Sequence, residues 1–126
     1  MPPPPSELRE QAIVRALKRC SEATIAAALR FQDSRDPADL ATIIRGVLSR
    51  DLPEDHAGAL ETATEDSRLV EDLGMDSFGL IEVAMTAEEI FGISIENEEM
   101  KILSTIGQLK SFVLSKLDAA AGRALP

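Results

Sequence analysis

The chain has 126 residues, a formal net charge of −9, 44% apolar residues and 3% aromatics, with neither Trp nor Tyr. That length suits a single core, the scarcity of aromatics and β-branched runs argues against a sheet-built fold, and the excess of acid argues against nucleic-acid binding. No apolar run approaches the roughly 20 residues of a membrane span, no charged segment followed by an apolar run marks a secretory signal, and the single Cys20 cannot form an internal disulfide, so the chain reads as cytoplasmic.

Met1 to Pro5 is a proline run expected to form a disordered, solvated tail. Ser6 can cap the helix after it. From Glu7 to Phe31, Ile13, Leu17, Cys20, Thr24, Ala28 and Phe31 recur at intervals of three or four residues, which predicts one helix with a break near Ser21. Residues 6–35 thus form an N-terminal helical extension, free of any catalytic motif, that packs on the rest, dimerises or docks a partner. Asp36-Pro37-Ala38-Asp39 is a helix start, with Asp36 the cap and Pro37 the first helical residue. Leu40, Ile43, Ile44, Val47 and Leu48 form the apolar stripe of the helix it opens.

Residues 51–66 read as a long loop, with Leu69, Val70 and Leu73 inserting as anchors. His56, the one histidine, has no companions of the kind a catalytic or metal site needs. A helix from Ser77 to Phe91 comes next, with Leu80, Val83, Ala84, Ala87 and Phe91 on its core face. Phe78, Ile81, Glu82, Met85, Glu88 and Glu89 mark its other side. After the extended link Ile93-Ser94-Ile95, Glu96 to Leu103 reads as a brief helix. Ser104 or Thr105 starts the last one, with Ile106, Leu109, Phe112, Val113 and Leu117 inward, and residues 119–126 should fray.

Chemistry concentrates at Leu73-Gly74-Met75-Asp76-Ser77-Phe78. Gly74 permits a tight turn, Asp76 is a good N-cap, and Ser77 therefore falls in the first helical turn with its hydroxyl exposed. A phosphate esterified there would meet unpaired N–H groups and the positive end of the helix dipole. The acid is gathered around this serine. Residues 66–100 alone sum to −9, whereas residues 1–35 sum to +2, a distribution that steers basic partner surfaces toward Ser77.

With Ile81-Glu82-Val83-Ala84-Met85 and Glu88-Glu89-Ile90-Phe91 downstream, this motif resembles the acyl carrier protein family, over roughly Asp39 to Leu117. The resemblance implies an all-α, four-helix bundle over residues 36–118 with a long loop between its first and second helices, the extension adding a further N-terminal helix. It implies that Ser77 carries 4'-phosphopantetheine, donated by coenzyme A and attached by a phosphopantetheinyl transferase, with Asp76 in support. Acyl groups would ride as thioesters on the prosthetic thiol. Partners would be that transferase and the acyl-loading, elongating and acyl-transfer enzymes, whose basic docking surfaces would meet Phe78, Ile81, Glu82, Met85, Glu88 and Glu89. Such a chain is a carrier and not an enzyme, with no catalytic residue and no metal of its own.

Two departures stand out. Gly79 occupies a position that is commonly acidic or polar in the family, which removes a recognition contact. Ala84 and Ala87 make a small inner face with room for a long or bulky acyl chain. Both suggest a specialised fatty acid, lipid or polyketide pathway. An unmodified carrier-like adaptor and a peptidyl or aminoacyl carrier are the alternatives, the latter usually having Gly-Gly before the serine pair. A serine hydrolase is disfavoured, since Met75 replaces the first Gly of Gly-x-Ser-x-Gly and only His56 is on hand as a base.

Overall fold

In the computed structural model, which describes residues 4–56 and 58–124, the architecture is all-α. The helices are α1 (Pro5–Ala16), α2 (Glu22–Ser34), α3 (Pro37–Asp51), α4 (Ser77–Phe91), α5 (Asn97–Lys101) and α6 (Ile106–Ala124), with short 3₁₀ turns at Glu54–His56 and Ala59–Glu61. Among the described residues the one β-like pairing is an isolated antiparallel bridge between Arg68 and Thr105. No helix among them is long and apolar enough to cross a membrane.

Local chemistry sets most of the boundaries. Pro4 is the N-cap of α1 and Pro5 its first residue, because a proline's fixed φ suits a first turn whose N–H has no partner anyway. The expected proline tail therefore ends earlier than Pro5; Met1 to Pro3 lie outside the described residues. Ser21 caps α2 by accepting from Thr24 N at 3.3 Å, and Asp36 caps α3 by accepting from Ala38 N at 2.9 Å. The break expected near Ser21 divides the extension into two helices, and the link between them is pinned by Leu17, which is fully buried. At the other end α6 continues to Ala124; residues 125 and 126 lie outside the described residues.

A single apolar core joins the extension to the bundle. Ile13, Leu17, Ala27, Ala28 and Phe31 from α1 and α2 lie in one cluster with Leu40, Ile43, Val47 and Leu48 of α3, Val83, Ala87 and Ile90 of α4, and Leu109 and Val113 of α6. Phe31 meets Phe91 edge to face, with centroids 5.8 Å apart. Helices α2 and α3 approach closely because residue 46 is Gly: a Cβ there would come within 2.8 Å of the Thr24 Cβ. Extension and carrier region thus share one core.

The long loop is wired to the start of α6. Leu69 N donates to Ser104 O, Ile106 N to Ser67 O and Gly107 N to Glu65 O, while the Arg45 guanidinium donates to the carbonyls of Leu60 and Ala63. Leu69 and Leu73 are the expected anchors, buried to 1% or less. Val70 is not one: it is 51% exposed, and Met75 fills the third buried position. Within a Leu-Val-Glu-Asp-Leu-Gly-Met run no periodicity distinguishes these residues; the turn geometry does.

Candidate functional site

Ser77 is the first residue of α4 and is exposed. Two features hold it there. Asp76, extended at φ −102°, turns its Oδ1 onto Gly79 N at 2.8 Å and so caps the helix. Before it, Gly74 takes φ +72°, and a Cβ at that position would also lie 2.7 Å from the His56 ring; backbone conformation and close approach both demand glycine. The histidine that sequence reasoning left without a role lies over this turn, with Nδ1 3.0 Å from Asp55 Oδ1. That contact keeps the Asp55 carboxyl below its ordinary range.

Beyond Ser77, α4 and α5 diverge to leave a groove of about 180 Å³ lined by Ser77, Leu80, Ile81, Asn97, Glu98, Met100 and Lys101. The serine stands at the side of a mostly apolar trough. Glu99 Oε1 accepts from Glu96 N at 3.0 Å and from Lys116 Nζ at 3.1 Å, which fixes α5 against α6. The backbone bond to Glu96, then Lys116, hold the Glu99 carboxyl below its ordinary range.

Phe78, Ile81 and Met85 are 70%, 43% and 53% exposed, and their spacing places them along one side of α4. The extension does not cover them; it meets the far end of the helix, where Arg9 donates to Glu89 O at 3.2 Å and Ile90 O at 2.8 Å. Glu89 is exposed and Glu82 half-buried. Glu88 differs from the rest of this acidic set, since its Oε2 accepts from Ile95 N at 2.8 Å and ties the α4–α5 link. The other exposed large apolar residues are Leu8 and Val14 on α1, Val70, and Ile102, the last 74% exposed just past α5.

Gly79 and the small inner face both read differently in three dimensions. Gly79 is buried, and a Cβ would approach Met75 Cε at 3.2 Å and Asp51 O at 3.7 Å. The position faces inward, and a larger residue fits there only where the flexible end of Met75 gives by a few tenths of an ångström. Ala84 and Ala87 do not front a chamber either. The void beside Ala87, lined by Ile43, Ile44, Val47, Val83, Ile90, Phe91, Leu109 and Val113, measures about 20 Å³, roughly the space of one water. Large neighbours from α3 and α6 fill what the alanines leave.

A buried polar cluster lies behind the site. Arg50 and Asp51 form an ion pair at 2.9 Å with both side chains 7% exposed. Arg50 also donates to Thr86 Oγ1 at 2.7 Å and Ala16 O at 3.2 Å, joining α1, α3 and α4. Burial alone would lower the Arg50 pKa; the hydrogen bond and charge of Asp51 outweigh it and hold the guanidinium above its ordinary value. Cys20, whose thiol reaches toward Gly46 O at 3.8 Å, is pushed up by burial. No group of three or more His, Cys, Asp or Glu among the described residues could hold a metal ion.

Comparison with known proteins accords with this geometry. Residues 38–113 match the family described as the phosphopantetheine attachment site, a domain to which 4'-phosphopantetheine is joined covalently. An acyl carrier protein of Thermotoga maritima is 30% identical over 74 residues, covering 59% of this chain and 86% of that protein. One of Wolinella succinogenes is 40% identical over 53 residues, 42% of this chain and 70% of the relative. Acyl carrier protein MbtL of Mycobacterium bovis is 31% identical over 80 residues, 64% and 90% of the two chains. A match that runs from α3 into α6, together with relatives that are acyl carrier proteins, places the chain in the acyl carrier protein family, as a carrier and not a catalyst.

Proposed function

We propose that Ser77 is the attachment point of 4'-phosphopantetheine and that acyl intermediates travel as thioesters on its terminal thiol. The observation that carries this reading is the position of Ser77: exposed, first in α4, with the Asp76 carboxylate spent on the helix cap and the α4–α5 trough opening beside it. A phosphodiester on its oxygen meets the positive end of a 15-residue helix, and the prosthetic arm has an apolar trough to lie along. Asp76 keeps the serine's backbone in place during transfer from coenzyme A by a phosphopantetheinyl transferase.

Phe78, Ile81, Glu82, Met85 and Glu89 make the surface that acyl-loading, elongating and acyl-transfer enzymes engage. An adaptable methionine and exposed aliphatics supply contact area, and the acids supply attraction to basic patches, favouring fast encounter over tight hold. Glu88 contributes charge to that field while its oxygen stays on Ile95 N. The pathway is a specialised fatty acid, lipid or polyketide one in the cytoplasm. The support for specialisation is the α1–α2 pair, which shares the carrier's core, rather than a roomy interior.

Incubation with coenzyme A and a broad-specificity phosphopantetheinyl transferase, followed by intact-mass analysis, tests the assignment. The native chain gains the mass of one phosphopantetheine and Ser77→Ala gains nothing. An unchanged native mass, or a gain that survives Ser77→Ala, overturns it.

A further inference from the structure

The α4–α5 trough beside Ser77 is polarised along its length. Leu80, Ile81 and the buried Met100 make it apolar, and its polar lining besides Ser77 is Asn97, Glu98 and Lys101. The direction of α5 decides which of these stands near the serine. Just before α5, Ile95 N donates to Glu88 Oε2 at 2.8 Å, in the C-terminal half of α4. Just after α5, Ser104 O accepts from Leu69 N at 2.8 Å, and Leu69 O accepts in turn from Met75 N at 3.0 Å, on the turn that leads into Ser77. Helix α5 therefore runs back along α4 toward the serine, with Asn97 at the far end of the trough and Lys101 at the Ser77 end. Lys101 is the one cation in that lining. It is exposed, and no ion pair or hydrogen bond engages its side chain among the described residues, Glu98 included.

A phosphodiester on Ser77 brings an anion into acidic surroundings. The Asp76 carboxylate already occupies the Gly79 N–H in the first turn of α4, so part of the field at that helix end is engaged. Glu98 adds negative charge to the trough itself. We propose that Lys101 is the phosphate-binding residue of the prosthetic arm: its ammonium pairs with the phosphodiester on Ser77, and the pantetheine chain lies over Leu80, Ile81 and Met100 with an amide toward Asn97. The proposal rests on the carrier reading and gives it a resting place for the arm. Lysine suits the task, because a point charge on a flexible stem can follow a phosphate on a flexible linkage. The pair is exposed and therefore weak. A partner whose basic surface reaches the phosphate displaces Lys101 and frees the arm to leave the trough.

The test converts the full chain with coenzyme A and a phosphopantetheinyl transferase, as native protein, Lys101→Glu, Lys101→Arg and Lys18→Glu. The last is a control of equal charge change at an exposed lysine that lines a different groove, beside α1. Two NMR readouts follow the arm at low salt. The phosphorus resonance of the native holo-protein stands apart from that of the same protein unfolded in urea, and conversion from apo to holo shifts the amides of Ile81, Asn97, Met100 and Lys101. In Lys101→Glu the phosphorus resonance moves to the unfolded position and the amide shifts fall about threefold, the scale of one exposed ion pair. Lys101→Arg and Lys18→Glu keep both signals, and thermal melts of the apo-proteins verify that each variant is folded. A Lys101→Glu protein that matches the native chain in either readout, a Lys101→Arg protein that loses them, or an equal loss in Lys18→Glu overturns the proposal. Intact mass is read on every sample: a native chain that gains no mass overturns the carrier reading, whereas one that gains mass without displacing its phosphorus resonance overturns only the assignment of Lys101.

Discussion

Arg50→Met tests the idea that the extension is clamped to the carrier bundle by a buried cation. In the native chain the guanidinium serves the Asp51 carboxylate through Nε at 3.4 Å and Nη2 at 2.9 Å, the Thr86 hydroxyl and the Ala16 carbonyl. Methionine fills much of the same volume and supplies none of those donors. The carboxylate of Asp51, 7% exposed, is left buried without a counter-charge. Breaking a buried pair from one side costs about 3–5 kcal/mol, chiefly the desolvation of the charge left behind. The lower figure applies here, since Thr86 keeps its bond to Glu82 O at 3.0 Å and Ala16 O lies at the end of a helix. With a urea slope of about 1.5 kcal/mol per M, a loss of ~3 kcal/mol moves the unfolding midpoint down by about 2 M. Arg50→Met/Asp51→Leu removes both charges and recovers most of the loss. Hydrogen exchange in the single variant rises first in α1, where the bond to Ala16 is gone. A midpoint shift under about 0.5 M in the single variant, or a double variant no more stable than the single, refutes the reasoning.

Phe31→Ala, which removes a 2%-exposed ring edge-on to Phe91, is expected to cost about 3–5 kcal/mol in urea unfolding; a loss of under about 1 kcal/mol would show that the extension is loosely applied. Gly79→Glu, which introduces the acid common in the family, lowers stability by about 1–3 kcal/mol because it starts a charged side chain from a buried position beside Met75 and the Asp76 carboxylate, and a thermal melt at or above wild type would return the position to the surface. At neutral pH Cys20 alkylates more slowly than a free cysteine in an unstructured peptide, its thiol having been pushed up by burial; equal rates with iodoacetamide contradict this. Asp39 is held below its ordinary range first by the hydrogen bond from Arg30. A lowered carboxylate adds stability above its unfolded pKa and loses it as pH falls through the folded one. Asp39→Asn therefore flattens the acid limb of a stability-versus-pH curve without changing its shape above neutrality, and an unaltered acid limb counts against the Arg30 pairing.

The parts of the fold that were legible in the sequence are those set by neighbours in the chain. Asp76 before Ser77, Pro37 after Asp36 and the three-to-four spacing of Leu40, Ile43, Ile44, Val47 and Leu48 each specify a helix start or face from within a few residues. The observed α4 begins at Ser77 and α3 buries those five side chains. What escaped was set by contacts between distant residues. Arg9 and the carbonyls it serves are 80 and 81 positions apart, and Arg50 reaches across 34 to Ala16 and 36 to Thr86. Nothing local marks Arg50, rather than Arg45 or Arg30, as the buried cation, nor Glu88, rather than Glu89, as the one that holds a backbone amide.

The same distant contacts explain why α4 departs from a simple two-faced helix. Its period predicted one inward stripe, and Ile90, 4% exposed, extends that stripe among Ile43, Ile44, Leu109 and Val113, while Thr86, 7% exposed, is buried on the neighbouring flank where Arg50 donates to its hydroxyl. With α3 and α6 behind it, α5 beside the trough and α1 along the other flank, α4 keeps one open side. On that side stand Ser77, Phe78, Ile81, Met85 and Glu89, all exposed. A helix so enclosed has little freedom to change its exposed surface by rotating, since every rotation drags Val83, Ala87 or Ile90 from the core or Arg9 from its carbonyls.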